Sequence, residues 1–372
     1  MKKVGMITLY YNNINYGGLL QAYALTRYIC SLGFDAEQIS TDFISGDDSK
    51  LLYCGNGIKS LIKKPVKTLI YKLNRGNFRI RRSAFKTFEK SIPHSNVVYN
   101  QHNIEDACKE YDIFVTGSDQ VWNMTWYQPA YFLSFVKNKT KISYAASMPG
   151  ELNTRQKELV ADHLSGFTAI SVREQSMVDI IGALSHQDVF QAVDPTLLLG
   201  RKEWDEILDD RVVNEPYLFC YFLSSTLEIK QKTREFSKKK KIKIVTFPHV
   251  GGINIADCFF GDIRLYDVSP SRFLALIRHA DYVMTDSFHA AVFSNIFEKK
   301  FVVFSRSGGE SMNTRLSTML DLFDANERFI GPGMTFAEIE AKIDMDTACD
   351  KEKVKRVIEN SELFLKKYLI MD

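Results

Sequence analysis

Eight short apolar runs, "KVGMITLY", "DIFVTG", "KISYAAS", "TAISVR", "YLFCYFL", "KIKIVTF", "DYVMTD" and "KFVVFS", alternate along this chain with amphipathic segments. That alternation predicts an α/β fold of parallel layers. The residues after each run are polar: "YNNINYGG" after the first, "GSDQVWN" after "DIFVT", "REQS" after "TAISV", "PHVGG" after "KIKIVTF" and "DSFH" after "DYVMT". In open parallel sheets ligands bind beyond the carboxyl ends of the strands. The candidate chemistry therefore collects where such a fold would bind a ligand.

At 372 residues the chain is longer than one continuous core usually supports. Asp194-Pro195 interrupts the alternation and a new strand-helix series begins after Pro216, so a hinge is expected between 194 and 216. The expected domains are 1–200 and 201–349, both Rossmann-like, with a C-terminal helix in 350–372 crossing back onto the first. The longest apolar runs, such as "YLFCYFL", fall far short of the roughly 20 residues that span a bilayer. "MKKVGMITLYYNN" lacks the apolar core of a secretion signal, so the expected location is cytoplasmic. Six scattered cysteines form no C-x-x-C pair, and no His/Asp/Glu cluster has ligand spacing, so no metal is expected. A net charge of +3 does not argue for a nucleic-acid partner. The basic segment "KSLIKKPVKTLIYKLNRGNFRIRR" interleaves cations with apolar residues. It is read as an amphipathic surface helix with solvated lysines, with peripheral contact to an anionic membrane or substrate surface as the alternative.

In "MTDSFHAAVFS" a strand is expected to end near Thr285 and a helix to begin around Phe288, with Asp286 or Ser287 as N-cap. The first helical turn presents free N–H groups suited to phosphate or carboxylate. His289 lies in that turn, either as a general acid/base or anion ligand, or as a histidine satisfied by a neighbour. Arg173 follows a strand directly and can offer a fork to an anion or pair with Glu174. Gly17-Gly18 allow close approach of backbone to a ligand, although the stretch is neither G-x-G-x-x-G nor a P-loop. "VTGSDQVWN" sets Ser118, Asp119, Gln120 and Asn123 beside Trp122, as a sugar site would, or as a loop with Asp119 capping a helix and Trp122 in the core. His249, just past another strand, is a lone histidine.

Taken in order, "NYGGLLQAYAL", "YDIFVTGSDQVWN", "ISYAASMP", "ISVREQS", "VDPTLLL" and "TDSFHAAVFSNIF" resemble the polysaccharide pyruvyl transferase family. The resemblance runs from about Asn15 to Phe297. It implies two Rossmann-like domains facing a cleft, as in glycosyltransferases of the GT-B type. It also implies transfer of the enolpyruvyl carbon of phosphoenolpyruvate onto two hydroxyls of one sugar, giving a cyclic ketal and phosphate, with no cofactor. On that reading His289 transfers a proton. Arg173, Ser287, Phe288, Arg315 and His249 belong to the donor side. Asn15, Tyr16, Gly17, Gly18, Ser118, Asp119, Gln120 and Trp122 belong to the acceptor side. The acceptor is a sugar or a lipid-linked oligosaccharide of a surface polysaccharide. Many members carry an arginine in the strand-end motif where this chain has Asp286, and a carboxylate there would repel an anion. Arg315 or Arg306 is expected to supply the cation, Arg315 in preference, with Asp286 orienting His289 or acting on the acceptor.

Two other readings fit the same motifs. One is a GT-B glycosyltransferase with a nucleotide-sugar donor, and the other is a sugar- or anion-binding homologue without turnover. Fold alone does not separate them.

Overall fold

The computed structural model describes residues 2–43, 58–148, 150–224, 226–248, 259–306, 310–345 and 349–371. The N-terminal half lays down β1 (Lys3–Ile7), α1 (Tyr16–Ser31), β2 (Asp35–Gln38), α2 (Ile58–Glu89), β3 (Ile113–Thr116), β4 (Thr140–Ala146), α3 (Thr154–Leu164), β5 (Ala169–Val172), α4 (Gln175–Ser185) and β6 (Val189–Gln191). Its sheet has the order β2-β1-β3-β4-β5-β6. After the short helix α5 (Arg201–Asp205), the second half runs β7 (Tyr217–Tyr221), α6 (Leu227–Lys240), β8 (Lys243–Thr246), β9 (Ile263–Arg264), α7 (Pro270–Arg278), β10 (Tyr282–Thr285), α8 (Phe288–Ile296), β11 (Lys300–Phe304), α9 (Glu310–Leu322), β12 (Phe329–Ile330) and α10 (Phe336–Asp344). The second sheet has the order β12-β11-β10-β7-β8-β9. Every strand pairing in both sheets is parallel. The expected α/β architecture of two Rossmann-like halves is the one observed.

Three apolar clusters explain how the halves are held. One packs Phe114, Trp122, Phe132 and Ile170 on one face of the first sheet. Another packs Leu218, Met284, Val302 and Ile339 on one face of the second. The largest joins the remaining faces, running from Val4 and Ile113 through Leu19 and Tyr16 to Phe219, Phe273 and Val283. The two sheets therefore share a core rather than hanging from a hinge alone. The final helix α11 (Lys351–Ile370) returns to the first half. Phe364 stacks on Phe190 with ring centroids 5.1 Å apart, and the Val193 N–H donates to Ser361 Oγ at 3.1 Å.

Loop 117–123, the start of α4, the turn after β6 and the start of α8 all lie at carboxyl ends of strands. Among the described residues no helix is long and apolar enough to cross a membrane.

Candidate active site

The strand-to-helix junction at 284–290 forms as its sequence demands. β10 ends at Thr285, and Ser287 caps α8, its side chain accepting from the Ala290 N–H. Asp286 does not cap. Its Oδ1 accepts from the Leu223 N–H at 2.6 Å, and its Oδ2 accepts from the Ser224 N–H at 2.7 Å and hydroxyl at 2.8 Å. This carboxylate is buried and fastens the loop after β7. His289, in the first turn of α8, is buried against the first half of the chain. A Cβ added at Gly17 would lie 1.9 Å from His289 Nδ1, so the start of α1 has the one residue type that admits this imidazole. His289 Nε2 lies 3.6 Å from Asp194 Oδ2 and has no hydrogen-bond partner among the described residues.

Asp194 sits in the turn that follows β6, where its Oδ1 accepts from the Thr196 N–H and hydroxyl at 3.0 and 2.7 Å. Its Oδ2 accepts from Arg173 Nη1 at 2.7 Å. Arg173 Nε donates to Glu174 Oε1 at 3.1 Å, and its guanidinium lies 4.4 Å above the ring of Phe288. The fork expected to reach an anion is thus occupied on two of its nitrogens. Nη2 is buried, 3.7 Å from Asp119 Oδ1, with no hydrogen bond among the described residues. Burial pushes the Asp194 carboxyl up, but His289, Arg173 and Thr196 outweigh it and hold the group well below the usual carboxylate range. Burial likewise pulls Arg173 down, and Glu174, Asp194 and Asp119 more than compensate, so the guanidinium stays charged.

Arg315 reaches the same place from α9. Its Nη1 is 3.9 Å from Asp119 Oδ1, and the Gln120 amide, with its oxygen turned to the guanidinium, accepts from Nη1 at 2.7 Å and Nη2 at 3.1 Å. Burial, followed by repulsion from Arg173, pulls Arg315 down to about 10. Arg173, Asp194, Phe288 and Arg315 line a cavity of about 330 Å³ between the halves, closed on one side by Lys353 and Val357 of α11. Two arginines, one from each half, therefore line one cavity.

Other residues expected at an acceptor site have different positions. Trp122 is fully buried, stacked on Phe132 at 5.3 Å, with its indole N–H donating to the Tyr131 carbonyl at 3.1 Å. It fills the core of the first half and offers no sugar platform. Ser118 is also consumed internally: its N–H donates to Gln21 Oε1 at 3.0 Å and its hydroxyl to the Ala145 carbonyl at 2.7 Å. Tyr16 spans the two halves. Its ring stacks on Phe273 at 4.6 Å and its hydroxyl donates to the Val268 carbonyl at 2.9 Å. Asn15 caps α1 by accepting from the Gly18 N–H, and Gly18 lies against the Leu9 carbonyl. Asp119 and Gln120 face the arginines. His249 lies outside the described residues. Among the described residues no group of three or more His, Cys, Asp or Glu side chains could hold a metal ion.

The family model for polysaccharide pyruvyl transferase matches residues 15–308, which include every residue of this cluster except Arg315. The chain belongs to the polysaccharide pyruvyl transferase family. No curated protein is significantly similar to it. Among solved structures it is similar to the UDP-GlcNAc 2-epimerase of Methanocaldococcus jannaschii, at 10% identity and a TM-score of 0.56 over 98% of this chain and 99% of that one. The enzyme of the same name from Rickettsia bellii gives 10%, 0.55, 100% and 96%, and that of Neisseria meningitidis 11%, 0.52, 100% and 100%. At these identities the likeness establishes the GT-B fold alone.

Two cluster residues of this pyruvyl transferase family member escape a reading of sequence alone. Asp194 in "VDPTLLL" reads as the acid of a domain boundary because proline follows it, and Glu174 reads as a surface partner of Arg173. Their signal was position: each follows a strand of the first sheet, at the same end as "GSDQ".

Proposed function

We propose that this family member transfers the pyruvyl group of phosphoenolpyruvate to two hydroxyls of a sugar in a surface polysaccharide or its lipid-linked precursor. The observation that carries the reading is the cavity lined by Arg173 and Arg315, beside a histidine whose Nε2 has no hydrogen-bond partner among the described residues. Phosphoenolpyruvate presents a phosphate and a carboxylate, and a guanidinium from each half can meet one of them. Arg315 reaches the cavity from the second half, and a bound anion there would offset part of the cost of burying its charge beside Arg173. Phe288 supplies an apolar wall.

In the reaction a proton adds to the vinyl CH2, and C2 becomes an oxocarbenium-like centre. A sugar hydroxyl attacks C2 and yields its proton to a base. The C2–O bond to phosphate then breaks, and the second hydroxyl closes the ketal, releasing inorganic phosphate and a proton. His289 moves one of these protons, and the Asp194 carboxylate, 3.6 Å from its Nε2, stabilises the imidazolium. On the acceptor side the ring of Trp126, 37% exposed and tied through its N–H to the Gln120 carbonyl, takes the role that Trp122 cannot.

Titration calorimetry on the whole chain tests the donor assignment. Phosphoenolpyruvate should bind, and Arg315→Met should weaken it by about ten- to a hundredfold, as expected for a lost charged hydrogen bond. Binding of a nucleotide sugar in place of phosphoenolpyruvate would favour the glycosyltransferase reading.

A further inference from the structure

The helix α2 serves two purposes along its length. Its C-terminal end is docked: Phe85 and Phe88 are buried, and Arg81 donates through Nη1 to the Pro248 carbonyl at 2.8 Å and through Nε to the Tyr266 carbonyl at 3.2 Å. Its preceding turns present apolar side chains to solvent. Leu69, Leu73 and Ile80 are 57%, 75% and 51% exposed. Spaced at i, i+4 and i+11, they share one helix face, and Ile62 and Val66 continue the same periodicity in the sequence. Lys72, Arg75 and Arg79 lie on the adjoining face and are exposed. Residues 59–82 contain nine lysines and arginines, and no aspartate or glutamate occurs from residue 49 to residue 88.

A solvated surface helix would have no reason to expose three large aliphatic side chains in register. A protein partner would have to match both the stripe and a dense field of cations. An anionic bilayer does both at once: acyl chains take the aliphatic side chains, and the headgroups neutralise the cations. We propose that α2 lies in the surface of a membrane rich in anionic lipid, with Leu69, Leu73 and Ile80 inserted and Lys72, Arg75 and Arg79 at the headgroups. This attachment stands independently of the donor chemistry proposed above.

Co-sedimentation of the whole chain with vesicles tests it. The protein should bind vesicles of phosphatidylcholine with phosphatidylglycerol in preference to phosphatidylcholine alone, and added salt should weaken the binding. The double variant Leu69→Glu/Leu73→Glu should lower vesicle affinity about tenfold or more at an unchanged melting temperature, because both side chains are exposed. Lys72→Glu/Arg79→Glu should do the same through charge. Equal binding to both vesicle types, or equal binding by wild type and variants, would overturn the proposal. So would a dimer in light scattering that Leu73→Glu dissociates, since the stripe would then be covered by a second copy.

Discussion

Gly17 and His289 come from opposite halves of the chain, and the absence of a side chain at one makes room for the other. Gly17→Ala would put a methyl group 1.9 Å from the unshifted His289 Nδ1, so the imidazole must move. A displacement of about 1 Å at a reacting group can lower a rate about 10²-fold. Gly17→Ala should therefore reduce turnover by that order while phosphoenolpyruvate affinity changes little, and unaltered turnover would remove His289 from the proton transfer. Arg315→Met gives a different signature. A base whose folded value lies below its ordinary one destabilises the fold at every pH below that value, here about 10. The variant should match or exceed wild type in melting temperature without ligand and should lose the rise that phosphoenolpyruvate gives wild type. Asp194 has the opposite sign. Its depressed value contributes stability above the ordinary carboxylate pKa of about 4, and that contribution is lost as pH falls through this value toward the folded one. Asp194→Asn should be less stable than wild type by about 3 kcal/mol at pH 7. The gap in denaturant midpoints should narrow below about pH 4, and a gap independent of pH would contradict the pairing.

The eight apolar runs became β1, β3, β4, β5, β7, β8, β10 and β11, the interior strands of the two sheets. β2, β6, β9 and β12 were not legible, and they are the four edges. An interior parallel strand is covered on both faces and reads as continuous apolar sequence, whereas an edge strand such as "DAEQ" or the two-residue β9 is short and partly polar. The helix after Thr285 was legible for a local reason, its capping residue. The role of Asp286 was not, because its partners lie more than sixty positions earlier at Leu223 and Ser224. Loop 117–128 shows the same limit: sequence offers two tryptophans, and only packing tells them apart. Trp122→Ala should destabilise the fold by about 3–5 kcal/mol. Trp126→Ala should leave denaturant stability near wild type and raise the acceptor KM. If acceptor KM is unchanged, another element holds the sugar.

The two sheets share one core through Tyr16, Phe219 and Phe273, and α11 lines one side of the cavity, so the side chains of both halves proposed to hold the donor already face one space. Tyr16→Ala, which removes the ring joining α1 to α7, should lower stability by about 3–5 kcal/mol and weaken phosphoenolpyruvate binding together, although Tyr16 touches no part of the cavity. Transfer of the pyruvyl group can be followed in a single reaction mixture. Purified chain is incubated with phosphoenolpyruvate and a panel of sugar and lipid-linked acceptors, and phosphate release is measured beside the mass of the product. Pyruvyl transfer requires one phosphate per product and a product heavier than its acceptor by one pyruvate less one water. Phosphoenolpyruvate left intact, with sugar transferred from a nucleotide donor instead, would contradict it.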